Sequence, residues 1–450
     1  MKFTLTNVGP IQNAVIDLSR LVVICGPNNA GKTYLTNVIS EFYSKIPVEC
    51  QINVKEQLLD NEEKVTIDLS KYASQIKGMV NEWAVRFSSK SDLLYGGKLE
   101  VEVSPEDFRA DSSAPDSTWT RRANCAWKFI AHKEGCFLTI TRRSVMKDRD
   151  EVHAEDESKG LWQDALNRIV NAYLFGQKYN NGAIGDVFAV SSERMGVAFF
   201  KDALDIASRA QSHETQEGET HDIGVSDGAA RGKGLFPRQI KQMLDFISWM
   251  GQRKRMKALK PSAFGEDFGS ALDDLAGGSY TIDDGGIVFV PRCSAEVSLS
   301  AQEASSSARA LFALDSYVRY AAEQGDLLVI DEPEMNLHPD NQRKLARFLA
   351  KLVNSGIRVF VTTHSDYFVR EINVLMMLND DDKRMRTVAK RYGYSEDMLL
   401  DVAHIKGYRI VDGEAQPMPM SQQQGMEVAS FDETIKSQNE VVRDIMFGKD

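Results

Sequence analysis

Three short apolar runs, each followed by residues of distinct chemistry, predict an α/β fold organised on a parallel sheet. The runs are "LVVIC" (21–25), "LLVI" (327–330) and "IRVFVTT" (357–363). Each is apolar on both faces and rich in β-branched residues, the pattern of a strand covered by helices on both sides. The second observation is a glycine-containing loop directly after the first run. The third is a carboxylate pair directly after the second.

The elements follow in order. Residues 1–20 alternate apolar and polar positions around a turn at Gly9-Pro10, a hairpin leading into the first buried run. That run passes into "GPNNAGKT" (26–33), the G-x-x-x-x-G-K-T spacing of a phosphate-binding loop. Its backbone N–H groups turn inward towards phosphate oxygens. The positions of Leu35, Ile39 and Phe42 predict a helix after Lys32, whose N-terminal dipole favours the same anion. Strand, loop and helix thus stand in the order that the motif requires. Gly26, Asn28, Asn29, Gly31, Lys32, Thr33 and Tyr34 are the candidate nucleotide-binding residues. Lys32 is placed to reach the β- and γ-phosphates, and the Thr33 hydroxyl to hold Mg2+.

Residues 45–95 are mixed, with a helix expected around 75–87. The segments 98–103, 125–131 and 136–142 read as antiparallel strands joined by polar turns, and 161–175 as helix. Residues 209–234 are polar and glycine-rich and are expected to form a mobile loop. In "RQIKQMLDFISWM" (238–250), Ile240, Met243, Leu244, Ile247 and Met250 share one helical stripe. The stripe is too short for a long coiled coil. The segment 279–290 reads as a hairpin with Gly-Gly at its turn. No internal repeat is visible.

The second run ends in Asp331-Glu332. A carboxylate at the C-terminal end of a buried parallel strand, beside a phosphate loop, holds Mg2+ in P-loop NTPases, which assigns Asp331 to the metal. Glu332, next in line, is placed to orient the attacking water as a general base. The third run is followed by His364, which is placed to reach the γ-phosphate.

Composition sets the frame. The chain has 450 residues, 42% hydrophobic and 26% charged, which suits a soluble protein of two or three subdomains. No apolar run is long enough to span a bilayer, and residues 1–20 do not read as a signal peptide. The five cysteines (Cys25, Cys50, Cys125, Cys136, Cys293) form no C-x-x-C pair, which suits a reducing cytoplasm and argues against a zinc ribbon. The net charge of −11 confines any nucleic-acid contact to local patches. Two basic stretches stand out: Arg253, Lys254, Arg255 and Lys257, and Lys383, Arg384, Arg386, Lys390 and Arg391. A solvated helix face is the favoured reading of either stretch.

Together these motifs resemble the ABC-type ATPase heads of the SMC, RecF and OLD-like group, over roughly residues 1–45 and 185–375. Residues 26–33 match Walker A, 327–332 Walker B, 334–339 ("EMNLHP") the D-loop, and His364 the switch histidine. The resemblance implies an ABC-type P-loop ATPase head with an antiparallel β subdomain and a helical insertion, without a long coiled coil. It implies ATP and Mg2+ as ligands. It also assigns 299–314 to the family's signature, with Ser305, Ser306 and Ser307 preceding a helix that faces the γ-phosphate of a second subunit. Two chains would then sandwich two nucleotides, in a dimer or an even-numbered higher assembly. The segment departs from the family pattern, because no glycine falls between Ser298 and Gly325. A Ser-rich N-cap of an ordinary helix fits the same residues. Arg194, in "AVSSERMGV" (189–197), reads either as a phosphate or partner contact or as half of an ion pair with Glu193. No Q-loop glutamine can be assigned.

The expected organisation is an ATPase lobe with antiparallel strands (1–200), a loop and helical insertion (201–290), the signature, Walker B and switch part (291–375), and a C-terminal extension for partner docking (376–450). No nuclease motif stands out in the 86 residues after His364. Compact ATPases of this build resemble the ATPase subunits of bacterial anti-phage systems of the PARIS and Septu types. That resemblance implies a cytoplasmic sensor and scaffold that answers a phage trigger and gates a separate nuclease or toxin. A RecF-like DNA-repair ATPase is the competing reading.

Overall fold

The computed structural model describes residues 1–49, 64–90, 94, 96–102, 117–120, 127–134, 137–144, 166–167, 170, 187–197, 238–256, 259, 261–283, 286–294, 296–300, 302–427 and 429–447. In chain order it opens with the expected hairpin, β1 (Lys2–Val8) and β2 (Ile11–Asp17), and then β3 (Leu21–Cys25). All five residues of β3 are buried. Helix α1 (Lys32–Glu49) follows the phosphate loop. Next come β4 (Lys64–Asp68), α2 (Ala73–Lys90) and β5 (Lys98–Glu102). The strands β6 (Ser117–Thr120), β7 (Trp127–Glu134) and β8 (Phe137–Ser144) join β4 in a separate antiparallel sheet. The strand at 98–102 does not belong to that group. It pairs antiparallel with β1 and edges the main sheet, where Leu99 and Val101 meet the core.

The second half carries β9 (Val187–Val190), α3 (Arg238–Arg255), α4 (Ala263–Ala276), and the hairpin β10 (Gly278–Asp283) and β11 (Gly286–Pro291) with the short β12 (Leu299–Ser300). Helix α5 (Ser306–Tyr320), β13 (Leu327–Asp331), α6 (Pro339–Asn354), β14 (Arg358–Thr363) and α7 (Asp366–Met377) complete the expected motif-bearing part. The expected loop at 209–234 lies outside the described residues, and of the helix at 161–175 only 166, 167 and 170 are described, in helical conformation.

Helix α8 (Lys383–Arg391), strands β15 (Ile405–Val411) and β16 (Glu414–Pro417), and helix α9 (Ala429–Phe447) close the chain. The main sheet runs β5-β1-β2-β16-β15-β3-β14-β13-β9, with β15, β3, β14, β13 and β9 parallel. The segment expected as an extension therefore supplies the neighbour of the phosphate-loop strand. Its two strands are joined by Asp412-Gly413, at φ +48° and +79°. Two successive left-handed residues give the two-residue turn whose twist matches a hairpin. A Cβ on Gly413 would stand 2.9 Å from the Pro10 carbonyl oxygen, so glycine also lets this turn reach the β1–β2 hairpin. There the Gly413 carbonyl accepts from Gln12 N at 2.8 Å.

The sheet separates two apolar layers. Leu21, Val23 and Cys25 face one, with α3, α5, α6 and α7; Val22 and Ile24 face the other, with α1 and α2. Strand β13 alternates the same way, Leu328 and Ile330 against Leu327 and Val329. This double burial explains why both strands read as continuous apolar runs. On the second layer Phe42 meets Trp83 edge-on at 5.4 Å, and Trp83 stacks on Phe87 at 4.7 Å.

Ile410 on β15 is fully buried in the second layer. Ile410→Ala is expected to cost about 2–5 kcal/mol of stability, read as a lowered denaturation midpoint. An unchanged midpoint would mean that β15 is not part of the sheet that carries the phosphate loop.

Candidate functional site

Parallel pairing brings the ends of β3, β14 and β13 to one edge. Cys25 is opposite Thr363, and Thr362 is opposite Asp331. The residues that follow these strands line a cavity of about 1060 Å³, including Asn28, Asn29, Gly31, Lys32, Thr33, Tyr34, Glu332, Glu334 and His364. Pro10, Gln342 and Tyr367 close other parts of its wall.

The phosphate loop is tightly packed. Gly31 has φ +99°, and a Cβ there would lie 2.7 Å from Ile11 Cγ1 and 2.9 Å from Pro10 Cγ. Only glycine fits both the angle and the space. Lys32 is 4% exposed, and its ammonium donates to the carbonyls of Gly26 at 3.1 Å and Pro27 at 3.0 Å. The same nitrogen stands 3.6 Å from Glu332 Oε1. Below the loop, burial pushes the Cys25 thiol up to about 12, so it acts as an apolar side chain.

Thr33 Oγ1 donates to Asp331 Oδ2 at 2.7 Å, and Thr362 donates to Asp331 Oδ1. Burial raises the Asp331 carboxyl above its usual range, against the pull of the hydroxyls of Thr362, Thr33 and Ser192. Asp331 Oδ2 and Thr33 Oγ1 form a compact pair of hard oxygen donors. That donor set fits Mg2+, which takes one or two protein oxygens and fills the rest with phosphate and water. Among the described residues no group of three or more His, Cys, Asp or Glu side chains forms a metal cage.

Glu332 sits at φ +50°, unusual for a residue with a side chain. Its N–H donates to the Thr362 carbonyl at 3.1 Å, so the strand end holds this conformation. The Glu332 carboxylate reaches His364, with Oε1 3.3 Å from Nδ1. Glu334 Oε1 lies 3.4 Å from the same nitrogen, and accepts from Thr363 Oγ1 and His364 N, each at 2.8 Å. Glu334 is 3% exposed and its Oε2 has no hydrogen-bond partner; burial raises its carboxyl. After His364, Ser365 caps α7 by accepting from Phe368 N at 3.1 Å and donates to Gln342 Oε1 at 2.5 Å. His364 is thus fixed from both sides while its ring stays 43% exposed towards the cavity.

The candidate residues of the loop, Walker B and switch histidine therefore converge. Ser305, Ser306 and Ser307 do not line the cavity of the single chain. Ser305 is the N-cap of α5, accepting from Ala308 N at 3.2 Å, and Ser305 and Ser306 are exposed. Arg194 corrects both expectations held for it. It is 2% exposed and its guanidinium donates to backbone carbonyls, so it neither faces the cavity nor forms an ion pair with Glu193 within 4.0 Å. Sequence reasoning placed Glu334 at the start of the D-loop match without a role at the site, and missed Gln342, Thr362, Thr363 and Ser365. The hydroxyl run "TTHS" at the end of a buried strand was the available signal.

Residues 238–369 match the family described as "AAA ATPase domain". The match includes residues 299–314, β13, β14 and His364, and the chain is an ATPase. Solved structures with similarity to the whole chain include the Smc head domain with an extended coiled coil bound to the C-terminal domain of ScpA, derived from Pyrococcus furiosus. It is 13% identical, over 98% of this chain and 98% of that one, with a TM-score of 0.36. The SMC head domain from Thermotoga maritima is 11% identical, over 93% and 98%, with a TM-score of 0.32. No curated protein matches the chain. Among the described residues no helix is long and apolar enough to cross a membrane.

Thr362→Val removes one of the hydroxyl donors on buried Asp331 without changing side-chain shape. It is expected to cost about 1–3 kcal/mol of stability, measured by denaturant unfolding. A midpoint equal to the parent's would show that the Thr362–Asp331 bond contributes nothing.

Proposed function

We propose that the cavity at the ends of β3, β13 and β14 binds Mg-ATP and that Glu332 and His364 carry out its hydrolysis. The observation that supports this most is the convergence of Lys32, Thr33, Glu332 and His364 on one cavity wall, with buried Asp331 bonded to Thr33 directly behind it. In this reading the loop amides of 26–33 and Lys32 hold the β- and γ-phosphates. Asn28, Asn29 and Tyr34 shape the loop wall. Thr33 and Asp331 hold Mg2+, which neutralises developing charge on the phosphate oxygens. Glu332 orients the attacking water and takes its proton. His364, with Nδ1 facing the two carboxylates, presents Nε2 to the γ-phosphate. Ser305 and Ser306, exposed at the start of α5, and half-buried Ser307 are placed to meet the nucleotide of a second copy.

We further propose that hydrolysis serves a switch: a sensor and scaffold subunit of a bacterial anti-phage complex, gating a separate nuclease or toxin chain in the cytoplasm after a phage trigger. The support is the motif resemblance and the end of α9, where Ile445 is 77% and Phe447 79% exposed, a hydrophobic surface suited to a partner. The RecF-like reading has its own observation. Lys383, Arg386 and Lys390 form one exposed stripe along α8, beside an exposed Tyr392. A nucleic-acid contact there would show DNA-stimulated hydrolysis that weakens with salt.

Three variants test these assignments. Lys32→Ala is expected to lose ATP binding in calorimetry; parental affinity would overturn the site. Glu332→Gln is expected to bind ATP and turn it over about 100-fold or more slowly, as removal of a general base does, and a parental rate would remove Glu332 from that role. Ser306→Arg is expected to leave single-chain ATP affinity intact while blocking ATP-dependent association in light scattering. An unchanged assembly would sink the two-copy arrangement. For the gating role, the Glu332→Gln protein is isolated with ATP from its native cells. A stoichiometric nuclease or toxin chain supports it; recovery of DNA with repair proteins favours the RecF-like reading.

A further inference from the structure

Arg194 lies just beyond β9, in the turn of residues 191–194. It makes contacts of one kind only. Its Nε donates to the Ala310 carbonyl at 2.9 Å. Its Nη1 donates to the carbonyls of Ser191 at 3.1 Å and Asp331 at 3.0 Å. Its Nη2 donates to those of Glu332 at 2.8 Å and Pro333 at 3.3 Å. A guanidinium has five N–H groups in a fixed fork, and all five are used. Burial pulls the group below its ordinary value, and the charges of Glu334, Asp331 and Glu332 pull it back. None of its hydrogen bonds goes to a carboxylate oxygen.

Three of the five acceptors are consecutive: 331, 332 and 333. They form the backbone that leaves β13, with Glu332 at φ +50° in its middle. The Glu332 peptide unit is held on the other side by β14, through Thr362 O at 3.1 Å and Thr362 Oγ1 at 3.2 Å. The φ angle of Glu332 decides whether its side chain points to Lys32 and His364 or away from them. Without the guanidinium, the Asp331 and Pro333 carbonyls would lose a donor and the Glu332 carbonyl would keep only Met335 N, at 3.1 Å, so the turn would relax to satisfy them. The fourth contact reaches a different element. Ala310 belongs to α5, the helix that starts at Ser306.

We propose that Arg194 is the positioning residue for Glu332. It holds the 331–333 backbone in the left-handed turn that aims the Glu332 carboxylate into the cavity, and it fixes that turn to α5. Arg194 itself touches no nucleotide. A displacement of α5, as when the start of the helix meets a second nucleotide, passes through Ala310 and the guanidinium to the Glu332 peptide. The proposal rests on Glu332 acting as the general base.

The test is a double-mutant comparison of ATP affinity and single-turnover hydrolysis for the parent, Arg194→Lys, Glu332→Gln and the combined variant. Lysine keeps the charge but offers three donors on a point, not a planar fork. Arg194→Lys is expected to bind ATP within about threefold of the parent and to hydrolyse it some 10–100-fold more slowly, the loss a small misplacement of a catalytic group brings. In the Glu332→Gln background the same change is expected to slow the residual rate less than about threefold, because a residue acting through Glu332 has nothing left to position. An equal fold-loss in both backgrounds, with Glu332→Gln itself about 100-fold or more slower than the parent, overturns the role of Arg194 and leaves Glu332 standing. A parental rate in Glu332→Gln overturns both. Arg194→Gln, which leaves no buried charge to desolvate, replaces the lysine variant where thermal unfolding shows that variant unfolded, and the same outcomes apply.

Discussion

The hydrogen bond from Thr33 to Asp331 joins residues 298 positions apart, and it exists only because β3, which leads into the loop and helix of Thr33, and β13, which ends at Asp331, both pair with β14. The register is specific. Asp331 lies opposite Thr362, and Thr362 lies opposite Ile24. A slip of one residue in either pairing would turn Asp331 into an apolar layer and lift Leu or Ile side chains to the cavity. Burial on both faces of β3 and β13 makes such a slip costly, so the same apolar alternation that stabilises the core also fixes the site. The chain end takes part in this constraint. β15 covers the other side of β3, and its turn at Asp412-Gly413 braces the hairpin that packs on Gly31.

Charge is concentrated where the sheet ends. Lys32, Arg194, Asp331 and Glu334 are each below 5% exposed. Isolated, each would carry a large desolvation cost. The cost is offset by short-range partners: carbonyls for the two cations, hydroxyls and a backbone N–H for the two carboxylates. Because these dipoles are set before any ligand arrives, they need little rearrangement when charge develops on a bound phosphate. Glu334 Oε2 is the exception, a buried acceptor without a partner beside His364. The Glu332 backbone, left-handed and held from two sides, is the second place where local preference is overridden.

Much of this was legible in the sequence, for definite reasons. β3, β13 and β14 are continuous apolar runs, so their places, and the residues after them, could be read directly. Lys32, Thr33, Asp331, Glu332 and His364 meet as their positions at strand ends require. Other features were hidden. β15 and β16 contain lysine, arginine and glutamate among their apolar residues, because alternate positions of these strands are less buried; the Asp412-Gly413 dipeptide was the readable sign of their hairpin and was overlooked. The strand at 98–102 alternates like any half-buried strand, and periodicity does not say which sheet it joins. Arg194 could not be assigned from its neighbours. Four of its five partners are carbonyl oxygens of residues 116 to 139 positions away, and carbonyls leave no trace in side-chain patterns.

A structure of the chain with Mg2+ and a non-hydrolysable ATP analogue tests the central claim most directly. The account predicts γ-phosphate between Lys32 and His364, the metal on Thr33 and Asp331, and Arg194 still on the carbonyls of 331–333. Nucleotide bound away from the 26–33 loop, or a metal held without Thr33 and Asp331, would contradict it.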